Sequence, residues 1–141
     1  MTATERATQI WPILVLCASR RETLTYDLLG RLIGVPIQGV AEFLEPIQSY
    51  CLLEGLAPLA AIVVDQTTGL PENGSIPASK VPHAQAEVYA QDWLRNGPPH
   101  PEAFDDATEG MVYRRARLRQ ERAAKAKAAK AAKAARGVNM R

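Results

Sequence analysis

The sequence predicts a mainly α protein of the α+β class. Three segments with apolar residues at helical spacing come first, and a short β-branched run follows at residues 59–64. The run leads into DQTTGLPENG, which is dense in turn-forming residues. From about residue 108 onward, Ala, Lys and Arg dominate. These features predict a small helical domain with one strand, followed by a helical extension.

Composition limits the classes of function. A chain of 141 residues, 47% of them hydrophobic, suffices for one domain. No apolar run approaches the roughly 18 residues of a membrane-spanning helix. The N-terminal segment lacks the basic, apolar and small-residue succession of a secretion signal. We therefore expect a cytoplasmic protein that does not enter a membrane.

The sequence offers no recognisable catalytic, metal or cofactor site. Cys17 and Cys51 lie in predicted helices, and we expect both to be buried, reduced thiols. His83 and His100 stand in proline-rich connections far from the cysteines, so no zinc-ligand spacing exists. A glycine-rich phosphate-binding loop is also missing. These observations favour a non-enzymatic protein without a cofactor.

The net charge of +2 conceals two regions of opposite sign. Residues 1–112 carry six basic and fourteen acidic residues, a net charge of −8. Residues 113–141 carry eleven basic residues and one acidic residue, a net charge of +10. The chain is thus predicted to have an acidic body and a basic arm.

The first helix is predicted at about residues 8–18. Trp11, Leu14 and Cys17 recur at a spacing of three, and Ile10 and Leu16 extend the apolar stripe. Pro12 would then fall in the first turn, where its missing N–H group costs little.

The second helix is predicted to be short and well capped. Thr25 is its expected N-cap, Gly34 its expected terminator, and Val35-Pro36 the connection to the next helix. Four apolar residues are expected to form its buried side: Leu28, Leu29, Leu32 and Ile33.

The third helix is predicted at about residues 37–54. Pro46 lies inside it, so we expect either a kink there or two helices that meet at Glu45. Residues 59–64 follow as one buried strand, and the turn-rich segment after them as a long turn or wing. A further helix is expected from Ala84, ended by Gly97. One core should contain Trp11, Leu29, Val40, Leu44 and Ile62.

Three helices, a strand and a turn-rich loop follow one another in the order of a winged helix. The segment IWPILVLCASRRETLTYDLLGRLIGVP resembles the DNA-binding domain of the O6-alkylguanine-DNA alkyltransferases and their alkyltransferase-like relatives. Thr25-Tyr26 and Gly34-Val35-Pro36 carry this resemblance, which covers residues 10–64. It implies that Tyr26 crowds a DNA phosphate and helps to rotate a nucleotide. The residues leave a second interpretation open, in which Tyr26 packs at the edge of the core.

The reactive Pro-Cys-His-Arg run of that family is absent. Its place falls in or near AIVVDQTTG, residues 61–69, which contains no cysteine. The arginine that the family inserts into the base stack falls on Val40. Because alkyl transfer needs a thiolate beside a base, the resemblance implies binding without that chemistry.

The third helix would present an unusual surface to DNA. Gln38 could read adenine and Glu42 could accept from cytosine, but Glu42 and Glu45 would also repel phosphates. The missing attraction would have to come from the arm. Four cations recur every three residues, which we expect to spread charge around the helix axis: Lys127, Lys130, Lys133 and Arg136.

We therefore predict non-enzymatic nucleic-acid binding, with DNA favoured over RNA. The predicted organisation is a winged-helix-like domain at residues 1–98, a proline-rich linker at 99–107 and a basic helical arm at 108–141. Two alternatives for the arm stay open: a solvated extension, or a segment that folds onto the acidic body. The alternative function is docking of that body on a partner protein. The predicted nucleic-acid contacts are Tyr26, Gln38, Arg114, Arg115, Arg117, Arg119, Arg122, Lys125, Lys127, Lys130, Lys133 and Arg136.

Overall fold

The computed structural model describes residues 1–72, 76–95 and 97–139, with the backbone only at 112, 114–116 and 136–139. The structure is mainly helical, as the sequence predicts. It divides into two compact units, Met1–Thr108 and Glu109–Arg141. The elements in chain order are α1 (Ala3–Ser19), β1 (Leu24–Thr25), α2 (Tyr26–Ile33), α3 (Ile37–Leu53), a 3-10 helix (Leu59–Ile62), β2 (Val63–Val64), a 3-10 turn (Ala78–Lys80), α4 (Val81–Ala90) and α5 (Pro101–Asn139).

Helix α1 begins five residues earlier than predicted. The Thr2 side chain caps it by accepting a hydrogen bond from the backbone N–H of Glu5 at 3.1 Å. Pro12 consequently lies in the interior of the helix and not in its first turn. Trp11 is buried as expected, whereas Leu16 is 61% exposed and does not belong to the apolar stripe.

The caps of α2 are as predicted, but half of its expected buried side is exposed. Thr25 Oγ1 accepts from the Leu28 N–H at 3.2 Å, and Gly34 ends the helix with φ of 73°. Leu29 and Ile33 are buried, whereas Leu28 and Leu32 are 47% and 56% exposed. The two pairs lie about 100° apart around the helix, and only one of them can face the core.

A single helix, α3, runs through Pro46. The alternative of two helices that meet at Glu45 is therefore wrong. The inward side of α3 consists of Val40, Leu44, Ile47 and Cys51, all of which are buried.

The predicted strand at residues 59–64 is mostly a 3-10 helix. Only Val63–Val64 is a strand, and it pairs in parallel with β1, so that Leu24 is opposite Val63. All six residues are buried, which explains their β-branched, apolar character. In residues 1–72 and 76–95 no other strand is present, so the pairing there is not that of an antiparallel wing.

One hydrophobic core unites the helices of the first unit. It contains Trp11, Leu29, Val40, Leu44 and Ile62, each at most 5% exposed, which confirms the predicted core. The largest fully buried side chains on α1, α2 and α3 are Ile10, Leu14, Leu29, Val40, Leu44, Ile47 and Cys51.

Residues 101–107 belong to the folded domain, so the predicted linker at 99–107 is wrong. Pro101 begins α5, and Phe104 is 0% exposed. The Phe104 ring lies 5.9 Å from the ring of Trp11 and 5.5 Å from that of Tyr50, between ring centroids. Since an aromatic cluster of this kind contributes substantially to core stability, the first turns of α5 are structural.

Candidate nucleic-acid interface

Helices α2 and α3 are joined by a turn of three residues. Its Val35 N–H donates to the Gly30 carbonyl oxygen at 2.8 Å. A Cβ atom at Gly30 would lie 2.6 Å from the Val35 carbonyl oxygen and 3.2 Å from Cγ2 of Val40. Gly30 therefore permits the close approach of the turn to α2. The role of Gly30 was not predicted from the sequence, where its one signal is the spacing of four residues from Gly34.

The outward face of α3 combines one amide with two carboxylates. Gln38, Glu42 and Glu45 are exposed, as predicted. Pro36 is the N-cap of α3 and supplies no side-chain hydrogen bond to the first turn. Because its side chain is exposed, Gln38 can hydrogen-bond the edge of a base. The carboxylates of Glu42 and Glu45 on the same face repel phosphate.

Tyr26 is a structural residue, and its predicted contact with nucleic acid is wrong. Its side chain is 3% exposed, and its hydroxyl accepts a hydrogen bond from the Glu72 N–H at 3.0 Å. Burial raises the pKa of this phenol, although the hydrogen bond from Glu72 acts in the opposite direction. The hydroxyl therefore links α2 to the turn that follows β2.

The two thiols are free but poorly suited to chemistry. Cys51 is 1% exposed, and burial raises its pKa to about 11. Cys17 is only half-buried, so the expected burial holds for Cys51 alone. The pKa of Cys17 is also raised, chiefly by burial. Because the thiolate is the reactive form, these environments suppress nucleophilic reactivity. In the described part of the chain, no group of three or more His, Cys, Asp or Glu could hold a metal ion.

The basic side chains of the arm are exposed wherever the structure describes them. This holds for Arg117, Arg119, Arg122, Lys125, Lys127, Lys130 and Lys133. Among the described side chains of this unit, the one ion pair joins Arg117 Nε to Glu121 Oε1 at 3.3 Å. Nucleic-acid contacts were also predicted for Arg114, Arg115 and Arg136, but the side chains of these three residues lie outside the described part of the structure.

No family model, curated protein or solved structure matches this chain. Within the residues that the structure covers, no helix is sufficiently long and apolar to span a bilayer. The function is therefore inferred from the residues and their geometry.

Proposed function

We propose that the protein binds nucleic acid, DNA in particular, without catalysing a reaction. In this proposal the basic arm supplies the affinity and the body orients the complex. The observation that carries the proposal is the exposure of seven cationic side chains between Arg117 and Lys133, only one of which is in a described ion pair. Lysine and arginine in this state bind phosphates by releasing condensed counterions. The free cysteines fit a reducing, cytoplasmic environment.

We further propose that the body is a winged-helix-type module of the alkyltransferase-like kind, without alkyl transfer and, in residues 1–72 and 76–95, without the antiparallel strands of a wing. The support is the α2–turn–α3 unit, with its three-residue turn and its close approach at Gly30. In a helix-turn-helix module the second helix enters the major groove with its N-terminal residues at the bases. Gln38 would occupy that position on α3 and suits adenine. Glu42 and Glu45 add no phosphate attraction, so the body depends on the arm.

A second candidate function is docking of the acidic body on a partner protein. Leu28 and Leu32 favour it, since both are exposed one turn apart on α2. Apolar side chains at such positions are typical of the anchors that helices present to protein partners. In this case the basic arm would not be needed for the principal interaction.

Truncation of the arm distinguishes the two candidates. Removal of residues 123–141 deletes six positive charges and no residue of the described core. If four of these charges contact phosphates, the slope of log K against log salt on duplex DNA should flatten by about 3 to 4 units. The melting temperature should change by only a few degrees, because exposed residues contribute little to folding. Equal affinity and equal salt slope for the two chains would make docking of the body the better assignment.

A further inference from the structure

The cations of the arm cluster on one side of α5. With about 100° between successive residues, five of them fall within an arc of about 140°, and Lys127 lies about 60° beyond its edge. The lysines that recur every three residues do turn around the axis, by about 120° from Lys127 to Lys133, but Lys130 and Lys133 fall on the side that the earlier cations occupy. We call the side within this arc the basic face; it consists of Arg119, Arg122, Lys125, Lys130 and Lys133, and Lys127 lies outside it.

The opposite side of the same segment is nearly uncharged. It carries Ala124, Ala128, Ala131 and Ala135, all within an arc of about 60°. Arg117 also falls there, and Arg117 is the cation that forms the 3.3 Å ion pair with Glu121. The charge of Arg117 on the alanine side is thus locally balanced, whereas the charges on the face are directed to solvent.

We infer that the basic face binds double-stranded DNA that lies along one side of α5. This inference rests on the proposed function and specifies its ligand. Residues 119–133 extend over about 21 Å, at the standard rise per residue. Over that length the two strands of B-DNA together carry about twelve phosphates. The side of the duplex that faces the helix therefore offers at least as many phosphates as the face has cations, which is five.

Stiffness is what makes a one-sided arrangement selective for a duplex. Double-stranded DNA is nearly straight over 21 Å, since its persistence length is about 50 nm. A stiff duplex meets one side of a helix, so only cations on that side reach its phosphates. A flexible single strand bends around the helix and uses cations at any angle. The arrangement of charge should therefore matter for duplex DNA and not for a single strand.

Two permuted chains test this inference without a change in composition or net charge. In each, three lysines exchange places with neighbouring alanines, and both residue types favour helix. The off-face chain moves the charges to the alanine side, and the on-face chain keeps them within the face. The off-face chain carries Lys125→Ala, Lys130→Ala and Lys133→Ala with Ala124→Lys, Ala128→Lys and Ala131→Lys. The on-face chain carries the same lysine replacements with Ala123→Lys, Ala126→Lys and Ala129→Lys.

Binding of each chain to a duplex and to a single strand of equal length is measured against salt, with helicity checked by circular dichroism. The off-face chain should lose three phosphate contacts on the duplex, which flattens the salt slope by about 3 units. The on-face chain should keep the parental slope, and all three chains should bind the single strand equally.

Two results would overturn the inference and leave the proposed function intact. One is duplex binding by the off-face chain with the parental slope; the other is an equal loss on duplex and single strand. If the parent binds a duplex no more tightly than the chain without residues 123–141, the inference and the proposed function both fail.

Discussion

The hydroxyl group of Tyr26 accepts a hydrogen bond from the backbone N–H of Glu72 at a distance of 3.0 Å. This contact joins the first residue of α2 to the turn that follows β2, across 46 positions of sequence. Because the ring is also buried, the residue that a DNA-binding resemblance would place at a phosphate connects two segments of the fold.

Replacement of Tyr26 by Phe should therefore lower stability and leave DNA binding unchanged. The variant keeps the buried ring and loses one hydrogen bond, which typically costs about 1 kcal/mol. Urea unfolding measures this loss, and a salt titration on duplex DNA measures binding. Weaker DNA binding at unchanged stability would return Tyr26 to the interface.

Gly30→Ala should destabilise the body, against the usual trend for helical glycines. Alanine normally stabilises a helix interior by about 1 kcal/mol relative to glycine. At Gly30 the new Cβ would lie 2.6 Å from the Val35 carbonyl oxygen, so the turn between α2 and α3 must shift. We expect a net loss of about 1 to 3 kcal/mol, the usual cost of overpacking. The control is Gly97→Ala, because a Cβ atom added at Gly97 would have no atom within 4 Å. A gain in stability for Gly30→Ala would contradict the close approach of the turn to α2.

Leu44→Ala and Leu32→Ala should differ sharply although both remove the same atoms from a helix. Leu44 is 1% exposed, and its loss should cost about 2 to 5 kcal/mol. Leu32 is 56% exposed, and its loss should change the unfolding free energy by about 0.5 kcal/mol or less. Similar losses at the two positions would mean that α2 packs through the face that carries Leu28 and Leu32.

Local residue chemistry made part of the fold predictable. Thr25 and Gly34 lie at the two ends of α2, as expected. These ends were predictable because an N-cap side chain and a left-handed glycine affect only the nearest turn of the helix. The order of the helices and the shared core also follow from apolar spacing. The exposure of Leu28 was not predictable in this way, since an eight-residue helix rich in leucine has no unique apolar side.

Other features depend on contacts that are distant in sequence. Phe104 follows a segment with three prolines and precedes an acidic pair, which indicates a linker. Its ring nevertheless completes an aromatic cluster with Trp11 and Tyr50. Residues 59–62 precede the β-branched pair Val63-Val64 and were expected to share its strand, but they lie in a buried 3-10 helix. In the candidate site, the exposure of Gln38 was predictable because it follows from the α3 pattern. The hydrogen bond at Tyr26 was not, because its donor, the Glu72 N–H, is 46 positions away.

Alkaline pH should weaken the fold through Cys51. Its pKa is about 11 in the folded chain against 9.0 in the unfolded chain, because burial disfavours the thiolate. Because the pKa of Cys51 is higher in the folded chain, the stability contributed by its protonated thiol is fully present below about pH 9. That stability is lost as the pH rises from 9 towards 11. The loss amounts to roughly 3 kcal/mol at most by linkage. Urea unfolding at pH 8 and pH 10 should show a smaller decrease for Cys51→Ala than for the parent, and equal decreases would exclude the thiol as the cause.

Charge reversal on α3 should show whether this helix faces the DNA. Glu42 and Glu45 are exposed on its outward side. Replacement of both by Lys adds two cations to α3, a helix that contains no Lys or Arg. If α3 lies in the major groove, two new phosphate contacts should steepen the salt slope by about 1.8 units and raise duplex affinity. The matched control reverses Glu87 and Asp92, two exposed acids on α4 and the turn after it. It makes the same change in net charge, so it should produce only the weak, general increase in attraction that net charge causes. Equal effects of the two double variants would mean that α3 has no special position on DNA, and its acidic face would then be the better candidate for a protein partner.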